Sequence, residues 1–149
     1  GSFSTGKDIV NIYKWTAPSY FMYNFISIKG TGGKISSSKG NVITLRDCLE
    51  IYEPEIIRYL FAGTRPGAEF AMSFDLDVLK IYEDFDKCER IAFKKQETKN
   101  DKEYKKQRRI YELSSVNQPA KKMPFQPSFR HLTTIIQIYD KNPRIFLSV

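Results

Sequence analysis

Residues 30–41 read GTGGKISSSKGN, with Lys34 and Lys39 five positions apart among glycines and three consecutive serines. A linker has use for glycine and serine but none for lysines at fixed spacing. A loop that handles phosphate has use for all of them. Lysine brings a point charge on a long stem, and a pliable backbone turns its N–H groups toward an anion. Two familiar phosphate loops are excluded by spacing. The Gly-x-x-x-x-Gly-Lys-Ser/Thr pattern needs Ser or Thr after Lys34, where Ile35 stands, and an upstream glycine where Ile28 stands. The dinucleotide-binding glycine pattern needs a glycine three positions after Gly32, and again finds Ile35.

The flanking sequence supplies the elements that must position such a loop. Before it, YFMYNFISI at 20–28 is aromatic, β-branched and nearly all apolar, which predicts a strand covered on both faces. A strand of this kind needs neighbours, so the chain reads as part of a larger sheet. After the loop, Thr44 with Asp47 predicts a capping box opening a helix through Leu49 and Ile51. Glu53-Pro54 starts a second helix, with Ile56, Ile57, Leu60 and Phe61 on one face and Gly63 as its end. Further upstream, residues 6–15 predict a short helix closed by Pro18, with Trp15 assigned to a core.

Residues 64–73 contain Pro66 and Gly67 and read as a loop. From Asp75 to Phe93 runs the longest amphipathic pattern, with Leu79, Tyr82, Phe85 and Ile91 or Ala92 facing one way. The stretch 94–109 holds eight basic and three acidic side chains, with Tyr104 its only apolar anchor. It is the polar end of a helix or a connector, and is expected to be mobile without a polyanion. Prolines 119, 124 and 127 then mark an extended linker anchored by Met123 and Phe125. A last helix begins near Ser128, with Phe129, Leu132, Ile135, Ile136 and Tyr139 on its buried side.

Composition narrows the class. The 149 residues are 41% hydrophobic and 14% aromatic, values of a folded protein. No run is apolar enough to span a bilayer and no secretory signal precedes the chain, so a cytoplasmic location is expected. Cys48 and Cys88 are too few for a disulfide framework or zinc site and are expected to be reduced and buried. The net charge of +7 is uneven. Residues 1–90 carry 11 Lys+Arg and 12 Asp+Glu, whereas residues 91–149 carry 13 and 5. The excess in the second part suggests a polyanionic partner, most plausibly nucleic acid.

The stretch KISSSKGN, placed after a strand and before a capped helix, closely resembles the KMSKS-type signature of class I aminoacyl-tRNA synthetases. Within that class, the doubled glycine before it and the stretches YEPEIIRYLFAGTRPG and QPSFRHL most resemble class I lysyl-tRNA synthetases. The resemblance covers essentially the whole chain. It implies an α+β, mainly α, architecture: a strand remnant of a Rossmann-type catalytic sheet, the signature loop, a helical stem-contact region and the start of a helical bundle. The implied divisions are 1–43 for the end of the catalytic domain, 44–112 for the stem-contact region, and 113–149 for a linker and the start of an anticodon-binding region.

The resemblance further implies ATP binding at Gly33, Lys34, Ser36, Ser37, Ser38, Lys39, Gly40 and Asn41, with Lys34 and Lys39 catalytic. The family pattern has its second lysine where this chain has Ser37, and Lys39, two positions later, is expected to stand in for it. Arg65, Arg108, Arg109 and Arg130 are expected to contact tRNA. The implied partners are tRNA(Lys), L-lysine and ATP with Mg²⁺, acting in a longer parent. The class carries a second signature, with two histidines, near the start of its catalytic domain. This chain has only His131, assigned a structural role, so the chain is expected to be a monomeric, by itself inactive fragment. Two rivals stay open: a cysteinyl- or methionyl-type synthetase, and a non-enzymatic helical RNA-binding module.

Overall fold

Thr44 and Asp47 cap the helix after the loop reciprocally. Asp47 N–H donates to Thr44 Oγ1 (3.3 Å) and Thr44 N–H donates to the Asp47 carboxylate (2.7 Å). These bonds favour the ionised carboxylate and hold the Asp47 carboxyl below its ordinary range. The helix is short because Pro54 lies close behind it. A proline pushes its predecessor out of helical geometry, and Glu53 is extended (φ −63°, ψ 148°). The chain therefore breaks and restarts with proline in the first turn of the next helix.

The computed structural model describes residues 2–24, 26–29, 33–34 and 43–139. Their elements in chain order are α1 (Ser2–Ile12), β1 (Ile26–Ile28), β2 (Gly33–Lys34), α2 (Leu45–Leu49), α3 (Pro54–Gly63), β3 (Phe70–Met72), α4 (Asp77–Ala92), α5 (Asp101–Ser114) and α6 (Phe129–Ile138). The three strands form one sheet in the order β2-β1-β3. β1 pairs antiparallel with β2 and parallel with β3, Ser27 standing opposite Lys34 on one side and Ala71 on the other. This mainly helical α+β arrangement is the expected fold class. Because β3 follows α2 and α3 in the chain, the segments on either side of the loop share one sheet.

The core lies where α3, α4 and α5 meet the sheet. Ile56 and Ile57 of α3, Tyr82, Phe85 and Cys88 of α4, and Ile110 and Tyr111 of α5 are all buried in one cluster. Tyr52, between α2 and α3, donates its hydroxyl to the Ser73 carbonyl, and burial pushes its pKa up to about 12. Cys48 and Cys88 are free and buried, as expected.

Several expectations give way. Of the strand expected over 20–28 the described residues form strand at Ile26–Ile28, Asn24 N–H donates to the Pro66 carbonyl (2.7 Å), and Tyr20, Phe21, Met22 and Tyr23 are exposed. The region 64–73, read as a loop, contains β3: the run is too short to show a period, yet the backbone of β1 completes its ladder. Trp15 is 68% exposed and stacks on Tyr13 (centroids 5.1 Å apart) instead of entering a core. Phe125 anchors nothing, being fully exposed, while Met123 is half-buried beside Asp86 and Arg90. On α6, Phe129 stacks on Tyr82 (3.8 Å), but Ile136 and Tyr139 of the expected buried side are exposed.

The largest departure is α5. Residues from Asp101 onward, in the stretch expected to be mobile, form a packed helix. Asn100 caps it by accepting from Glu103 N–H (2.9 Å). Its apolar anchors, Ile110 and Tyr111, lie just beyond the basic stretch whose composition set the expectation.

Candidate phosphate loop and basic surface

The β1–β2 pairing fixes where the glycine-serine-lysine segment departs. Gly33 and Lys34 lie in register with Ile28 and Ser27, so the backbone of Lys34 is held by the central strand of the sheet. The chain re-enters the described residues at Ile43 and passes at once into the Thr44 cap. Strand end and helix start thus frame the segment, as the sequence implied. Ser36, Ser37, Ser38, Lys39, Gly40 and Asn41 lie outside the described residues.

One cation beside β1 is already committed. Lys29, just after β1, forms an ion pair with Asp77 at the start of α4, and the bond raises its pKa. Asp75 in turn accepts from Asp77 N–H (3.0 Å) and from Ser73 Oγ (2.6 Å). These contacts tie β1 to α4 and leave Lys29 a structural residue, which its sequence position did not reveal.

The four arginines assigned to tRNA lie on three different elements. Arg65 is exposed in the turn after α3, at the rim of an apolar recess with Phe21, Tyr23 and Phe70. Arg108 on α5 is held by Glu112 (2.8 Å) and the Ala92 carbonyl (3.1 Å), with its guanidinium 5.8 Å from the Phe93 ring centre. Arg109 is exposed, with Glu112 at 3.5 Å. Arg130 on α6 grips Glu83 with two nitrogens, Nη2 at 2.9 Å from Oε2. Arg65 and Arg109 are therefore open to a ligand, whereas Arg108 and Arg130 fasten helix to helix.

Spacing along α4 conceals a second polar system. Glu83, Asp86 and Glu89 recur every three residues and receive the linker and the start of α6. Arg130 binds Glu83, Phe129 N–H donates to Asp86 (3.2 Å), and Gln126 Nε2 donates to Glu89 (2.6 Å). Burial raises the carboxyl pKa of both Asp86 and Glu89, whereas the Arg130 bond lowers that of Glu83. Tyr111, Asp86 and Arg90 also act on Glu89, but its desolvation dominates.

A raised folded-state pKa means that the ionised carboxylate costs stability at neutral pH. That cost is relieved as pH falls through the raised value toward the ordinary carboxylate range. Glu89→Gln should therefore keep or raise the thermal midpoint at pH 7 and remove the part of the acid-side gain that Glu89 contributes. Melting of the chain and the variant between neutrality and pH 4 is the check. A variant several degrees less stable at pH 7, with the pH slope unchanged, would show the ionised form to be the favoured one.

Among the described residues no helix is long and apolar enough to cross a membrane. Residues 1–117 match the family described as tRNA synthetases class I (K). A protein of Borreliella burgdorferi named Lysine--tRNA ligase is 55% identical over 142 residues, which cover 95% of this chain and 27% of the relative. Proteins of the same name from Treponema pallidum and Thermococcus kodakarensis are 52% and 44% identical, over 93% and 92% of this chain and 26% of each relative. The chain thus spans about a quarter of the length of the curated relatives it matches. With a family match over residues 1–117 and a KISSSKGN segment framed by strand and capped helix, the chain belongs to the class I (K) tRNA synthetases.

Proposed function

We propose that this chain is part of a class I lysyl-tRNA synthetase that joins lysine to tRNA(Lys) in the cytoplasm. The observation that carries the reading is the 55% identity, across nearly the whole chain, to a protein named Lysine--tRNA ligase. The same name on the relatives favours lysine over a cysteinyl- or methionyl-type substrate. In the longer protein, ATP, L-lysine and tRNA give lysyl-tRNA, AMP and pyrophosphate. The lysine carboxylate attacks the α-phosphorus, the bond to the bridging oxygen breaks, and pyrophosphate carries away the electron pair.

In this reading Lys34 and Lys39 supply cations to the departing pyrophosphate, and Gly33, Ser36, Ser37, Ser38, Gly40 and Asn41 shape the loop around the ATP phosphates. Residues 1–43 end the catalytic domain, 44–112 face the tRNA stem, and 113–149 lead into the anticodon-binding region. Among the described residues no group of three His, Cys, Asp or Glu could hold a metal ion. In this reading Mg²⁺ would share the charge of the nucleotide phosphates.

The test is aminoacylation by the full-length protein with lysine, cysteine or methionine and the matching tRNAs. Lysine alone should be attached, and only to tRNA(Lys). The 149-residue chain, purified by itself, should give no lysine-dependent exchange between ATP and pyrophosphate. Charging with another amino acid, or exchange by the isolated chain, would overturn the proposal.

A further inference from the structure

The exposed face of α5 carries two adjacent rows of side chains with opposite electrostatic character. Residues 101, 105, 108 and 112 form one row, following the i, i+4, i+7 spacing of a helix face. That row neutralises itself: Lys105 pairs with Asp101 (2.7 Å) and Arg108 with Glu112 (2.8 Å). The next row holds Lys102, Lys106, Arg109 and Leu113 and contains no acid. Lys102 and Lys106 are exposed and pair with no described carboxylate, and the Glu112 that lies 3.5 Å from Arg109 is held more closely by Arg108.

The row does not end at Leu113. Arg58 of α3 reaches across and donates through Nε and Nη2 to the Leu113 carbonyl (3.1 and 2.8 Å), which sets a fourth cation at the end of the line. From Lys102 to Leu113 the helix rises roughly 16 Å. A track of three cations on one face of α5 with a fourth from α3 at its end, beside a row that cancels its own charge, differs from a uniformly solvated lysine surface.

We infer that Lys102, Lys106, Arg109 and Arg58 form a track for the sugar-phosphate backbone of RNA, and that α5 lies along a tRNA strand in the bound complex. Charge complementarity selects the ligand. The ammonium groups of Lys102 and Lys106 and the guanidinium groups of Arg109 and Arg58 suit successive phosphates of a strand. Such contacts position the RNA and carry no sequence preference. Among the four arginines considered above, the row retains Arg109. It adds two lysines and Arg58, whose roles are invisible until the helices pack. This inference rests on the lysyl-tRNA synthetase reading.

The experiment uses the full-length synthetase and a tRNA(Lys) transcript, with affinity measured across a KCl series. The double variant K102Q/K106Q should bind about tenfold more weakly at low salt. Losing two phosphate contacts should also flatten the dependence of log affinity on log salt by about 1.5. KM for tRNA should rise while kcat at saturating tRNA stays within about twofold, with thermal midpoints unchanged. K105Q, on the self-neutralised row, should bind within twofold of wild type. A double variant with wild-type affinity and slope would overturn the track, as would an equal loss in K105Q, which would make total charge the cause. A wild-type protein that binds no tRNA at low salt would remove the synthetase reading, and the track with it.

Discussion

Replacing Lys34 by alanine in the full-length synthetase should slow lysyl-adenylate formation about a hundredfold or more, with much less effect on lysine binding. Negative charge builds on the leaving pyrophosphate as the bond to the α-phosphorus breaks. A cation that meets this charge is bound more tightly in the transition state than in the ground state, so its loss falls on the rate. Removing one such preorganised contact typically costs roughly 3 kcal/mol. The register of β2 adds a reason to expect this of Lys34: its backbone pairs opposite Ser27 in the sheet. Lys39→Ala should give a comparable loss if that lysine stands in at the position the family pattern gives to Ser37. Ser37→Ala should do less, because a neutral hydroxyl makes a weaker bond to phosphate than an ammonium does. The measurement is pre-steady-state adenylate formation at saturating ATP and lysine, with and without tRNA. Near-normal rates for both lysine variants would reduce GTGGKISSSKGN to a connector.

Sequence alone made the frame of this loop legible where the signals are local. The Thr44–Asp47 cap depends on atoms three residues apart, and it forms as read. Pro54 restricts its own neighbour, and the break between α2 and α3 falls there. The stripe read on α4 is a property of one helix: Tyr82, Phe85, Ile91 and Ala92 are buried as read, and Leu79 is half-buried. Features that depend on a distant partner stayed hidden. β3 is three residues without periodicity, given meaning only by β1 some forty positions earlier. The packing of α5 depends on Ile110 and Tyr111 meeting α3 and α4, which the charge of 94–109 masks. The roles of the arginines were illegible for the same reason. Only the folded chain gives Arg108 the Ala92 carbonyl and Arg130 the Glu83 carboxylate and brings Arg58 to the end of α5.

Ile56→Ala should destabilise the chain by about 2–5 kcal/mol, a large share of the roughly 5–15 kcal/mol that holds a domain together. Ile56 is 1% exposed and sits among Tyr82, Phe85 and Tyr111, the aromatic side chains through which α4 and α5 approach α3. Its neighbour Ile57 turns to the other side, lining a small recess with Cys48 and Met72. The two isoleucines make α3 the plate between the α4–α5 pair and the sheet that carries the loop. Truncating Ile56 removes three carbons and leaves a void that rigid rings close poorly, so transfer and cavity costs add. Ile56→Val should cost only about 0.5–1.5 kcal/mol, since the branched β-carbon still fills most of the site. Phe61→Ala, on the same helix but 52% exposed, should cost the chain less than Ile56→Ala despite the larger side chain lost. Denaturant unfolding of the three variants decides. An Ile56→Ala loss below about 1 kcal/mol would mean that α3 and the α4–α5 pair close the gap by sliding together, and that the plate yields.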